Sequence, residues 1–155
     1  METKAEEVKK AVEKTPAEIQ KEYDDFMNRQ KELTMGLLPA AAADIVKHVK
    51  ALGVQPYSFQ IGDDWFIYRV INRAEYQQLL ITQTEPAKKL IAEDEIAGRI
   101  KVNLGNEEKL VLKCLLYPQL NEMTIKETPA GWVDTLHNVI MATSGFNADP
   151  TPVKL

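Results

Sequence analysis

The chain reads as an α+β protein, mostly helical with about five to six helices and one β-hairpin near residues 57–70. Three observations predict this class. Apolar residues recur at helical spacing along most of the sequence, and several of those stretches open with a capping signature. Only around residues 57–70 does the period change to two, on either side of a Gly-Asp-Asp turn. The 155 residues are 45% hydrophobic and 27% charged with a formal net charge of −4, which suits one compact domain and an arm. The expected division is 1–35 as an N-terminal helical arm or first helix, 36–146 as a compact helical domain with the hairpin, and 147–155 as an extended tail.

Residues 1–14 have helical composition but few apolar side chains, so they read as a frayed helix or a mobile arm. Thr15-Pro16-Ala17-Glu18 supplies a start signal: threonine as N-cap, proline where a missing N–H is harmless, and glutamate three residues after the cap. A helix is expected from there to about Leu33. Ile19, Tyr23, Phe26 and Leu33, with Val8 and Val12 in phase upstream, form one stripe on it. That stripe either packs on the domain's own core, the simpler reading, or makes an amphipathic arm that docks on another protein. After a break at Gly36–Pro39, Ala40–Leu52 reads as a second helix with Ile45, Val46, Val49 and Leu52 inward and Gly53 ending it. Tyr57, Phe59 and Ile61 then alternate with polar residues, Gly62-Asp63-Asp64 turns, and Trp65–Val70 returns as the second strand.

Asn72-Arg73-Ala74-Glu75 repeats the capping logic and starts a helix through Tyr76, Leu79 and Leu80. Thr84-Glu85-Pro86 restarts the chain into a helix from Ala87 to about Val102, carried by Leu90, Ile91, Ile96 and Ile100. Leu104-Gly105-Asn106 reads as a turn, followed by a helix from Glu107 to Tyr117 that Pro118 stops. Pro129-Ala130-Gly131 opens the last helix, bearing Val133, Leu136, Val139 and Ile140 and closed by Gly145.

The sequence offers little to catalysis. His48 and His137 lie far apart with Cys114 between them, and no metal-ligand spacing occurs, so neither metal nor other cofactor is expected. The glycines are scattered singly, whereas a phosphate loop needs them clustered so that backbone N–H groups approach the anion. A triad of Cys114, His137 and Asp134 is conceivable, but Cys114 sits in the apolar run KLVLKCLLYP, where cysteine behaves as a small hydrophobe. The mild acidity argues against a broad nucleic-acid face, and no apolar run approaches the roughly 20 residues that span a bilayer. The N-terminus carries no apolar run of signal-peptide length either. These features predict a non-enzymatic protein of a reducing compartment, without nucleic-acid or membrane partners.

Three segments carry a resemblance. Phe66-Ile67-Tyr68-Arg69 with Asn72-Arg73-Ala74-Glu75-Tyr76, Val111–Pro118 (VLKCLLYP), and Pro129-Ala130-Gly131 with Thr135-Leu136, Ile140-Met141 and Ser144-Gly145-Phe146 follow one another in order. Together they resemble segments of tail and baseplate assembly proteins of contractile-tailed, T-even-like bacteriophages. The resemblance covers Tyr57–Phe146 and leaves the first helical region outside it. It implies a small adaptor without catalytic activity, in the cytoplasm of the infected cell, that binds tail-tube, tape-measure or baseplate-hub subunits. The alternative it implies is a permanent subunit of the tail or baseplate; self-association is open in either case. An adaptor needs an exposed apolar surface rimmed by charge, and aromatic and arginine side chains are the usual anchors. The candidates are therefore Trp65, Phe66, Tyr68, Arg69 and Trp132 in the covered region and Ile19, Tyr23 and Phe26 on the first helix. Burial inside the monomer is the competing expectation for each, most of all for Trp65 and Trp132.

Overall fold

A computed structural model describes residues 13–81, 88–89, 92–146 and 153–155. Its elements are α1 (Pro16–Leu37), α2 (Ala40–Ala51), β1 (Tyr57–Ile61), β2 (Asp64–Tyr68), α3 (Arg73–Ile81), α4 (Glu95–Cys114), β3 (Leu115–Tyr117), a 3-10 turn (Thr124–Glu127), α5 (Ala130–Thr143) and β4 (Val153–Lys154). The class is α+β, as expected. The chain divides into two units, Met1–Leu37 and Leu38–Leu155. The expectations for Val8, Val12, the Thr84-Glu85-Pro86 restart, Leu90, Ile91 and most of the tail fall outside the described residues.

Within the first unit, α1 begins as its sequence requires. Thr15 N–H donates to Glu18 Oε2 at 3.1 Å and Glu18 N–H donates to Thr15 Oγ1 at 3.3 Å, a reciprocal capping box that satisfies two otherwise orphaned donors. The helix runs through Gly36 to Leu37, and Pro39, which disfavours helical backbone in the residue before it, bars further extension.

The second unit is built on an antiparallel sheet of order β3-β2-β1-β4. The hairpin pairs Tyr57 with Tyr68, Phe59 with Phe66 and Ile61 with Asp64. Gly62 sits at φ +59° while Asp63 keeps a negative φ, the glycine-first pattern that matches the twist of paired strands. Because side chains alternate along a strand, Tyr57, Phe59, Phe66 and Tyr68 share one face. There they meet Leu110, Val111 and Cys114 of α4, Ile125 of the 3-10 turn, and Leu136, Val139 and Ile140 of α5. The opposite face carries Ser58 and Ile67, both buried, and α2 packs on β2 and β3 through Ala42, Val46 and Val49. Both α2 and α5 end in the same way. Gly53 (φ +81°) donates to Lys50 O and Val54 to Val49 O, while Gly145 (φ +98°) donates to Ala142 O and Phe146 to Met141 O, the paired bonds of a Schellman cap.

Four details differ from the sequence expectation. Gly105 does not break the chain: α4 is one helix from Glu95 to Cys114, with Asp94 as its cap accepting from Ala97 N–H at 3.2 Å. Leu115–Tyr117, expected as the end of a helix, form the edge strand β3, since Pro118 forces the residue before it into extended backbone. Leu52 is exposed, not inward. The end of the tail is a strand, with Ser58 paired to Val153 and Tyr57 to Lys154, while Leu155 is buried and donates its N–H to Pro56 O.

Candidate protein-binding surface

The residues singled out in the sequence separate into two sets. Phe66 and Tyr68 are wholly enclosed and cannot touch a partner while the domain is folded. Phe66 and Trp132 meet edge to face, with ring centroids 4.9 Å apart and planes at 86°, an arrangement that aligns ring edge with ring face. Trp132 is accordingly half-buried and part of the packing. Trp65 is half-buried on the Ile67 face, opposite Gln60. Tyr68 stacks on Tyr57 and shares a 2.7 Å hydrogen bond with Thr143 Oγ1. The Thr143 hydroxyl hydrogen is spent on Val139 O, so Tyr68 is the donor. Burial pushes the Tyr68 hydroxyl up to about 12.

Arg69 is also engaged internally. Its guanidinium forks onto Glu75, with Nη1 to Oε1 at 3.0 Å and Nη2 to Oε2 at 2.8 Å, and Lys113 stands 3.9 Å from the same carboxylate. The hydrogen bonds from Arg69 hold the Glu75 carboxyl below the usual range, and those to Glu75 raise the guanidinium further. Glu75 simultaneously caps α3, accepting from Asn72 N–H while Asn72 Oδ1 accepts from Glu75 N–H.

Residues of the three segments grouped in the sequence meet at one place. Tyr68 reaches Thr143, Ile71 N–H donates to Ser144 Oγ at 3.0 Å, Tyr76 packs on Phe146 at 4.7 Å, and Arg69 N–H donates to Cys114 O at 3.0 Å. These residues close the domain. Beside the joint, Ile71, Arg73, Tyr76, Leu80, Ser144 and Phe146 line an open groove.

Cys114 has no access to solvent, and burial pushes its thiol up to about 11. At neutral pH it is a protonated core side chain, not a thiolate nucleophile. Asp134 is exposed. Among the described residues no group of three His, Cys, Asp or Glu side chains is placed to hold a metal ion, and no helix is long and apolar enough to cross a membrane.

What remains as surface is α1. Ile19, Tyr23 and Phe26 are 56–57% exposed, Leu33 63% and Leu37 69%. The simpler expectation put this stripe in the core; each of its described side chains is instead more than half exposed. Leu37 extends it by one step beyond the expected helix end. Ile96 and Ile100, expected as the apolar signal of a helix ending near Val102, continue with Leu104 as a second run on the first half of α4, each more than half exposed. Its regular four-residue spacing was the available signal, but the expected turn at Leu104-Gly105 hid it. No family model, curated protein or solved structure matches this chain.

Proposed function

We propose that the protein is a non-catalytic assembly adaptor of a contractile-tailed bacteriophage, which binds a tail-tube, tape-measure or baseplate-hub subunit in the infected cell. The observation that carries the binding role is the apolar row of α1, whose Ile19, Tyr23, Phe26, Leu33 and Leu37 are each more than half exposed. Exposed apolar residues scattered singly need no explanation, but a row of them at helical spacing, broken at Gln30, is what a helix-in-groove contact uses. Charged residues such as Glu22, Asp25, Arg29 and Glu32 are also exposed on α1, which supplies the polar rim that favours one partner over others. The phage context rests on the three-segment resemblance. The buried, protonated Cys114 supports a role other than nucleophilic catalysis.

The test is co-expression of the full chain with each of the three classes of subunit, together with fractionation of infected cells. A stable complex with one subunit is expected, lost on Phe26→Glu without a change in melting, and the protein is expected in lysate but not in finished particles. No complex with any of the three would overturn the client class. Presence in particles at fixed stoichiometry would overturn the adaptor role.

A further inference from the structure

We infer that α1 pairs with α1 of a second copy of this chain as a short antiparallel coiled coil. The inference rests on reading α1 as a docking arm and names what covers the arm before a client does. Its basis is the period of the stripe. Ile19, Tyr23, Phe26, Gln30, Leu33 and Leu37 are separated by alternating steps of four and three residues, and Val12 stands one heptad before Ile19. An isolated surface helix that packs on a globular core follows 3.6 residues per turn with a broader stripe; a strict seven-residue repeat with a narrow seam is the pattern of helix-on-helix pairing.

Orientation and register follow from the flanking charges. The positions beside the seam are Glu22 and Arg29 on one flank and Gln20 and Met27 on the other. In an antiparallel pair each flank faces its own kind. With Tyr23 layered on Phe26 of the second copy, Ile19 faces Gln30, Pro16 faces Leu33, and Glu22 faces Arg29, every contact occurring twice by symmetry. A slip of one heptad in one direction sets Arg29 against Arg29, and in the other direction Glu22 against Glu22. Both slips are penalised by like charge, so one register is selected. A parallel pair would oppose Glu22 to Met27 and Arg29 to Thr34, with no ion pair on either flank. Ile19, Glu22, Tyr23, Phe26, Arg29, Leu33 and Leu37 are exposed on α1, whereas Met27 and Gln30 are half-buried and Thr34 is buried, so the second copy approaches from the Glu22 and Arg29 side of the seam.

Sedimentation equilibrium on the purified full chain tests this. The expected result is a reversible dimer in the micromolar range, weakened about tenfold by Arg29→Glu, which places two pairs of like charges on the seam. The double variant Glu22→Arg with Arg29→Glu restores the dimer, because it exchanges the partners of both pairs. Arg29 is exposed, so circular dichroism should show unchanged helix content. A monomeric wild-type chain, a dimer indifferent to Arg29→Glu, or a double variant that stays dissociated would each overturn the inference. The docking-arm reading fails separately: a monomer that still captures a client subunit through Phe26 would leave it standing.

Discussion

Helices α1 and α5 carry nearly the same message in sequence and meet opposite fates. Each has a threonine or proline start signal and a row of large apolar side chains at helical spacing. In α5 the row Leu136, Val139 and Ile140 is enclosed with α4 and the sheet, whereas in α1 the row Ile19, Tyr23, Phe26 and Leu33 is exposed. Periodicity establishes that a helix has an apolar face; it is silent on whether the covering surface belongs to the same chain. What distinguishes the two is what surrounds the stripe. The α5 stripe is broad, since Trp132, Val133 and Met141 pack beside it, while that of α1 is one residue wide and interrupted by Gln30.

The contrast can be broken most forcefully in the compact domain. Phe66→Ala should cost about 3–5 kcal/mol, since it removes a fully enclosed ring and the edge-to-face partner of Trp132; a urea titration followed by tryptophan fluorescence measures it. A protein that lost less than half of that would have a core able to collapse around the gap. Alkaline titration comes next. The folded thiol of Cys114 lies at about 11, above its unfolded value near 9, so the buried neutral form contributes stability that is fully present below pH 9. That stability is lost as the pH rises through 11, when the unfolded chain releases the proton first, and it amounts to roughly 2–3 kcal/mol. Urea midpoints at pH 8 and pH 10.5 should differ accordingly, and Cys114→Val should flatten part of the slope.

Smaller effects sharpen the comparison between helices. Gly105 lies inside α4, and a Cβ added there would meet nothing within 4 Å. Gly105→Ala should therefore raise stability by about 0.5–1 kcal/mol through the unfolded chain and the helix propensity alone. A loss instead would mean that the helix needs the glycine. At the small end, Phe26→Glu on α1 should move the melting midpoint of the compact domain hardly at all, within about 0.5 kcal/mol, while it should abolish capture of the proposed client.

Local chemistry explains which parts of the fold were legible. The capping boxes at Thr15 and Asn72, the glycine-first hairpin turn and the glycine caps at Gly53 and Gly145 involve neighbouring residues only, so their spacing is their geometry. Gly105 misled because a glycine costs about 1 kcal/mol in a helix, a penalty that the burial of Leu110, Val111 and Cys114 outweighs. The strands β3 and β4 were hidden because three and two residues have no measurable period, and their pairing partners lie roughly fifty and a hundred residues away along the chain. The candidate site was legible as a set of aromatic and apolar residues but not as a surface. Tyr68 and Tyr23 are both aromatic residues on an apolar row, and only the tertiary arrangement encloses one and exposes the other.

The joint that brings Tyr68, Ile71 and Tyr76 to Thr143, Ser144 and Phe146 also sets a schedule for synthesis. Its two sides are separated by 70 to 75 positions in the chain, so the hairpin has no lid and α3 no anchor until Phe146 has left the ribosome. Helix α1, closed by bonds that reach at most a few residues, has no such wait. Helix α1 can therefore form before the joint does, and its apolar row is exposed on the growing chain before the compact domain closes.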